Sequence, residues 1–230
     1  MRSDERLYGT TGRRDAAGER HGPAVIEPAT KTRLSRDVVR CVRCLSWPPQ
    51  AADWPTRHRN YGWPDSATVP RVVKNGCDVV GVAHRQCRQH ELMSKAQWRL
   101  SFSRAEIVLI NSWMPLQQII YHMLRFFMKN ALLKNNADEY VLSNYHIKSL
   151  MMWACELKSG TRFWTVDLNL ITICVELLRT LSVWLTDARC QHYFVKDCNL
   201  IDKSVCVKTA ANQLSSIHVA WLLVINVVYR

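Results

Sequence analysis

The 230 residues are 48% apolar and 22% charged, a balance that suits a globular chain and excludes general disorder. The formal net charge of +12 is unevenly placed: residues 1–104 carry 19 Lys/Arg against 10 Asp/Glu, so the first half holds most of the excess. Such a charge admits phosphates, acidic lipid or nucleic acid as partners without choosing among them.

In chain order, residues 1–33 are poor in aromatic and large aliphatic side chains and predict a disordered extension. From Asp37, DVVRCVRCLSWPP has the alternation and β-branched content of a strand, stopped by Pro48 and Pro49. The turn-rich QAADWPTRHRNYGWPD follows, then a short helix over 66–75 and a strand over 77–85. In QWRLSFSRAE, Trp98, Leu100 and Phe102 alternate with Arg99, Ser101 and Ser103, which predicts a strand with the first three buried. Ser103 and Glu106 have capping-box spacing, so a first helix should start there and run to about Trp113. Pro115 suits the first turn of a second helix reaching Lys134. The polar NNADEY separates it from a third, capped by Ser143 and ended by Gly160. A fourth runs from Thr165 or Asp167 to about Thr186, and HYFVKDCNLID reads as extended and half-buried. The fold class expected is α+β, mainly α.

Nine cysteines, an odd number, and an amino terminus without an apolar core region point to a reducing, intracellular location, cytoplasmic or nuclear. Cys155 and Cys174 fall on apolar helical stripes and read as core residues. The most apolar run, Val219 to Tyr229, is too short for a transmembrane segment, since a crossing helix needs about 20 apolar residues.

Three groups of residues carry candidate chemistry. Cys41 and Cys44, with Cys77, His84, Cys87 and His90, offer soft ligands for zinc; against this, positions i and i+3 of a strand point to opposite faces. The stretch WPTRHRNYGWP interleaves aromatics with arginines, as a nucleic-acid surface does, and as a packed turn with snorkelling arginines also does; packing is the favoured reading. Last, Arg99 and Ser101 share one strand face, Arg125 lies on the second helix, and Asn144 and Tyr145 open the third. A helix amino terminus favours anions, so arginine, hydroxyls and a flat ring together suit a nucleotide.

WRLSFSRAE, LSNYHIKSLMMWACE and CQHYFVKDCNLID, preceded in order by DVVRCVRCLSWP, GWPD and NGCDVVGVAHR, resemble the Mab-21 domain family of cyclic GMP–AMP synthase-like nucleotidyltransferases over about Asp37 to Asp202. The resemblance implies a nucleotidyltransferase lobe and a helical lobe of helix-hairpin-helix or helix-two-turn-helix character. It implies that Arg99, Ser101, Arg125, Ser143, Asn144 and Tyr145 bind a nucleotide, with Tyr145 stacking on the base, and that Asp37 is the third of three metal-binding carboxylates. Mg or Mn with ATP or GTP would be the cofactor set. Active members also carry a Gly-Ser turn followed by an acidic-x-acidic strand, which the 36 residues before Asp37 do not contain, and the zinc thumb of the vertebrate DNA sensor has no counterpart here. The expected organisation is a disordered extension (1–33), a remnant of the nucleotidyltransferase core (34–102), a helical domain (103–202) and a divergent tail (203–230). A truncated, catalytically inactive nucleotide binder is expected. The alternatives are an interaction scaffold that meets a protein partner or itself, and a nucleic-acid binder using the basic first half through Arg57, Arg59, Arg85 and Arg88.

Overall fold

The computed structural model describes residues 20–21, 24–30, 32–82, 97–130, 142–158, 160, 162–165, 170–201, 211–212 and 214. The chain folds as two compact units: residues 1–44 with 78–101, and residues 45–77 with 102–230.

The first unit carries the strands. β1 (Arg20–His21), β2 (Ala24–Glu27) and β3 (Arg36–Val39) form one antiparallel sheet, with Val25 opposite Val38 and Glu27 opposite Arg36. The Arg36 Nε donates to the Glu27 carboxylate across that last pair at 2.6 Å. Residues 20–21 and 24–27, expected to be part of a disordered extension, are therefore paired strand; the β-branched Val25 and Ile26 supply what the arginine-rich residues before them lack. A second sheet has the order β4 (Cys41–Cys44), β5 (Cys77–Gly81), β6 (Trp98–Ser101). The single strand expected over DVVRCVRC is thus two strands in different sheets, separated at Arg40. The half-buried pattern expected for β6 also fails at its start. Trp98 is 55% exposed, and Phe102, which is buried, lies beyond the strand.

The second unit is helical. α1 (Thr68–Lys74) follows Asp65, whose carboxylate accepts from the backbone N–H groups of Ala67 and Thr68 and from the Thr68 hydroxyl. Those bonds to Thr68, and then to Ala67, hold the Asp65 carboxyl below its ordinary range. α2 (Ser103–Asn111) starts on Phe102 with no side-chain cap, so the expected capping box is absent. The Glu106 carboxylate is instead buried against the Lys148 ammonium at 2.6 Å.

α3 (Pro115–Asn130), α4 (Asn144–Leu157) and α5 (Leu170–Thr186) pack on one another. Their buried residues recur at helical spacing: Ile120, Tyr121, Leu124 and Phe127 on α3, Ile147, Leu150, Met151, Ala154 and Cys155 on α4, and Cys174, Leu177, Leu178, Leu181 and Leu185 on α5. Cys155 and Cys174 are core residues, and burial pushes the Cys174 thiol up to about 12. α4 gives way to extended backbone at Lys158, just before the Gly160 expected to end it. Among the described residues, five α-helices and two small sheets give the α+β, mainly helical class.

Residues 45–77 belong to this unit, where Trp54 is buried and Trp47 packs among its rings. Trp47 and Trp54 lie with ring centroids 5.5 Å apart, Phe102 stacks on Phe194 at 4.7 Å, and Trp54 meets Phe194 at 5.2 Å. The segment read as extended, HYFVKDCNLID, is a tight loop over its described residues. An isolated bridge joins Gln191 to Asn199, and the Asn199 side chain accepts from the Cys190 N–H and donates to the Ala188 and Ile201 carbonyls. Among the described residues, no helix is long and apolar enough to cross a membrane.

Candidate functional site

The residues singled out from sequence fall in separate places. In the strand unit, Asp37 is the second residue of β3, in register with Ile26. Arg99 is exposed on β6 opposite Val80, and Ser101 is half-buried opposite Asp78. Asp78 went unnoticed in the sequence. It is a buried carboxylate on β5, with the Arg43 guanidinium at 3.3 Å. Nothing in the apolar pattern CDVVG marks it except its being the lone charge there.

In the helical unit, Arg125 is exposed on α3, its guanidinium 5.5 Å from the centre of the Tyr121 ring one turn earlier. Ser143, Asn144 and Tyr145 gather at the start of α4. Ser143 is the N-cap: its Oγ accepts from the Tyr145 N–H at 3.3 Å, and its own N–H donates to His146 Nδ1 at 3.0 Å. The imidazole thus plays the part usually taken by Glu or Gln in a capping box. His146 Nε2 lies 3.4 Å from the Leu200 carbonyl, and burial lowers its pKa despite that bond and the one to Ser143. Asn144 is exposed beside it in the first turn. The cap consumes the Tyr145 N–H, so the dipole and the Asn144 side chain are what this end offers to an anion.

The Tyr145 ring is half-buried, with the Lys148 ammonium 5.6 Å from its centre and its hydroxyl 2.7 Å from His192 Nε2. His192 and Lys148 were not singled out from sequence. Lys148 could have been found by its i+3 spacing from Tyr145, which puts both on one helix face; His192 is remote in sequence, and only the shared family motif hinted at it.

The basic aromatic stretch resolves as packing. Arg57 Nη2 donates to the Glu156 carboxylate at 2.7 Å and its Nη1 to the Tyr193 carbonyl at 3.0 Å. The same guanidinium lies 4.6 Å from the Trp153 ring centre and 4.8 Å from that of Tyr193. Arg59 donates to the Trp54 carbonyl at 2.7 Å and packs over the Trp54 ring. The Tyr193 hydroxyl adds a further bond to Glu156 at 2.8 Å. Of the zinc candidates, Cys41 and Cys44 lie on β4 and Cys77 is buried on β5, while His84, Cys87 and His90 lie outside the described residues, as do Arg85 and Arg88. Among the described residues, no three His, Cys, Asp or Glu side chains gather to hold a metal ion.

Comparison with known proteins finds two domain matches in succession, with a boundary that differs from that of the two compact units. The Mab-21 protein nucleotidyltransferase domain matches residues 10–112, and the Mab-21 protein HhH/H2TH-like domain matches residues 115–217. Protein mab-21-like 3 of Danio rerio is 22% identical over 183 residues, which cover 78% of this chain and 43% of that protein. The chain therefore spans less than half the length of this curated relative. The expectation that the nucleotidyltransferase core is lacking is corrected by the first match, which begins well before Asp37. The short, arginine-rich pieces before Asp37 had no motif strong enough to show it. With a nucleotidyltransferase domain and its helical partner domain matched in that order, the chain belongs to the Mab-21 family.

Proposed function

We propose that the chain binds a nucleotide, with Tyr145 stacking on the base and Asn144 beside the phosphates. Ser143 acts by building the turn that presents both. Arg99, Ser101 and Arg125 are the further contacts that family membership suggests, and Asp37 the one carboxylate it suggests for a metal ion. The observation that carries the reading is the Tyr145 ring, held half-buried at a capped helix amino terminus with an exposed polar residue next to it. A base gains about 1–3 kcal/mol from stacking on such a ring. These 230 residues contain no Gly-Ser turn followed by an acidic-x-acidic strand, so the reading is of binding without nucleotide polymerisation by this chain.

Thermal unfolding with and without ATP or GTP, in magnesium, tests it. Ligand at about 100 times its dissociation constant adds roughly 2.7 kcal/mol of stability, seen as a raised midpoint. The shift should vanish in Arg99→Ala and in Tyr145→Ala; an unmoved midpoint in the wild-type chain sinks the reading. One observation favours a second function, an interaction scaffold. Ile119 and Phe126, two turns apart on α3, are 49% and 39% exposed. Sedimentation at rising concentration decides it, since a chain that stays monomeric shows no self-association.

A further inference from the structure

His192 lies in the loop that follows α5, and both of its ring nitrogens are engaged. Nδ1 accepts from the backbone N–H of Phe194 at 3.0 Å and of Val195 at 3.1 Å. A nitrogen that accepts two N–H groups carries no proton, so the ring's single proton resides on Nε2. Nε2 faces the Tyr145 hydroxyl at 2.7 Å. The hydrogen-bond pattern therefore makes the imidazole the donor and the tyrosine oxygen the acceptor.

The ring has little freedom to do otherwise. His192 is buried, and its centroid lies 5.5 Å from that of Phe102, which is itself stacked on Phe194. A fixed donor aimed at the hydroxyl holds the far end of the Tyr145 side chain, while α4 holds its backbone. Both torsions of the side chain are then determined before any ligand arrives. Lys148, 5.6 Å from the ring centre, is fixed in turn by Glu106.

We propose that His192 is a positioning residue for nucleotide binding: it locks the Tyr145 ring in the orientation that stacks on a base. The proposal rests on the nucleotide reading of Tyr145 given above. It assigns a ligand-site function to a loop residue that need not touch ligand. Preorganisation of this kind acts by removing the ordering cost that binding otherwise bears.

The test separates the loop from the lock. In His192→Asn, the shorter side chain keeps an oxygen near Nδ1 for the Phe194 and Val195 N–H groups but cannot reach Tyr145. In Tyr145→Phe, the ring stays and the same bond is lost from the other side. ATP and GTP affinities are measured with magnesium on the full chain, for both variants, for their combination and for Tyr145→Ala. Each single variant is expected to bind about 5- to 20-fold more weakly than wild type, and the double variant no more weakly than either, because both remove one interaction. Wild-type affinity in His192→Asn with binding abolished in Tyr145→Ala overturns the proposal and leaves the nucleotide reading standing. Binding that is absent from the wild-type chain, or unchanged in Tyr145→Ala, overturns both. Should His192→Asn fail to fold, Tyr145→Phe decides alone: wild-type affinity there overturns the lock.

Discussion

At the scale of single residues, the strongest claim concerns Glu156. One buried carboxylate accepts from Arg57 and from the Tyr193 hydroxyl, with Arg59 Nε at 3.8 Å. Burial, and then the adjacent carboxylate, push the Tyr193 phenol up, while burial lowers the Arg59 pKa. Breaking a buried ion pair by removing one partner leaves the other charge uncompensated. Glu156→Gln should therefore cost about 3 kcal/mol, against about 1 kcal/mol for Tyr193→Phe, both read from urea unfolding. Equal costs would mean that the carboxylate charge does not matter there. His146 supplies a pH dependence. Its folded pKa lies below the unfolded value, so its contribution to stability is whole above about pH 6.5 and is lost as pH falls toward the folded pKa. Wild-type stability should drop across that window by up to about 1.4 kcal/mol per pH unit for this one proton, and the drop should shrink in His146→Gln. Little of this was legible beforehand. WPTRHRNYGWP announced packed arginines, but their partner Glu156 is far along the chain, and no local pattern encodes so distant a pairing.

At the scale of elements, sequence periodicity succeeded where one helix face is buried and failed where pairing is set by distant strands. α3, α4 and α5 were readable because Leu, Ile and Met recur every three or four residues over several turns. Ser143 was readable as a cap because its role depends only on the next three residues, and Ser143→Ala should lower stability by about 1 kcal/mol in thermal or urea unfolding. An unchanged midpoint would mean the His146 side of the box suffices. Ser103 shows the opposite case. Its spacing to Glu106 fits a capping box, yet Lys148 from another helix competes for the carboxylate and wins, because a buried carboxylate needs a cation more than a helix start needs a second bond. Core contacts should carry ordinary weight: Leu178→Ala, at a fully enclosed position, should cost about 2–5 kcal/mol. The strands were legible in outline only. DVVRCVRC alternates continuously, and the change of sheet at Arg40 depends on partners elsewhere in the chain.

At the scale of the whole molecule, a net charge of +12 invites a nucleic-acid function, yet two of the arginines proposed for it are half-buried and bonded to the protein's own acceptors. Arg57→Ala is expected to reduce unfolding free energy while leaving the salt dependence of any nucleic-acid binding unaltered. A phosphate-contacting arginine would instead lower the slope of log affinity against log salt by about one. The family was legible because its motifs keep their order; the extent of the nucleotidyltransferase match was not, since the residues described before β3 show two short strands and no motif. The aromatic cluster around Trp54 has an optical consequence. Trp47, Trp54 and Trp153 sit among other rings in the helical unit, with Arg57 over Trp153, whereas Trp98 is the lone described tryptophan of the strand unit and is open to water. Emission from the first group should be blue-shifted and should redden when the helices come apart, while Trp98 glows red from the outset, so a Trp98→Phe chain would report the helical unit in its own colour.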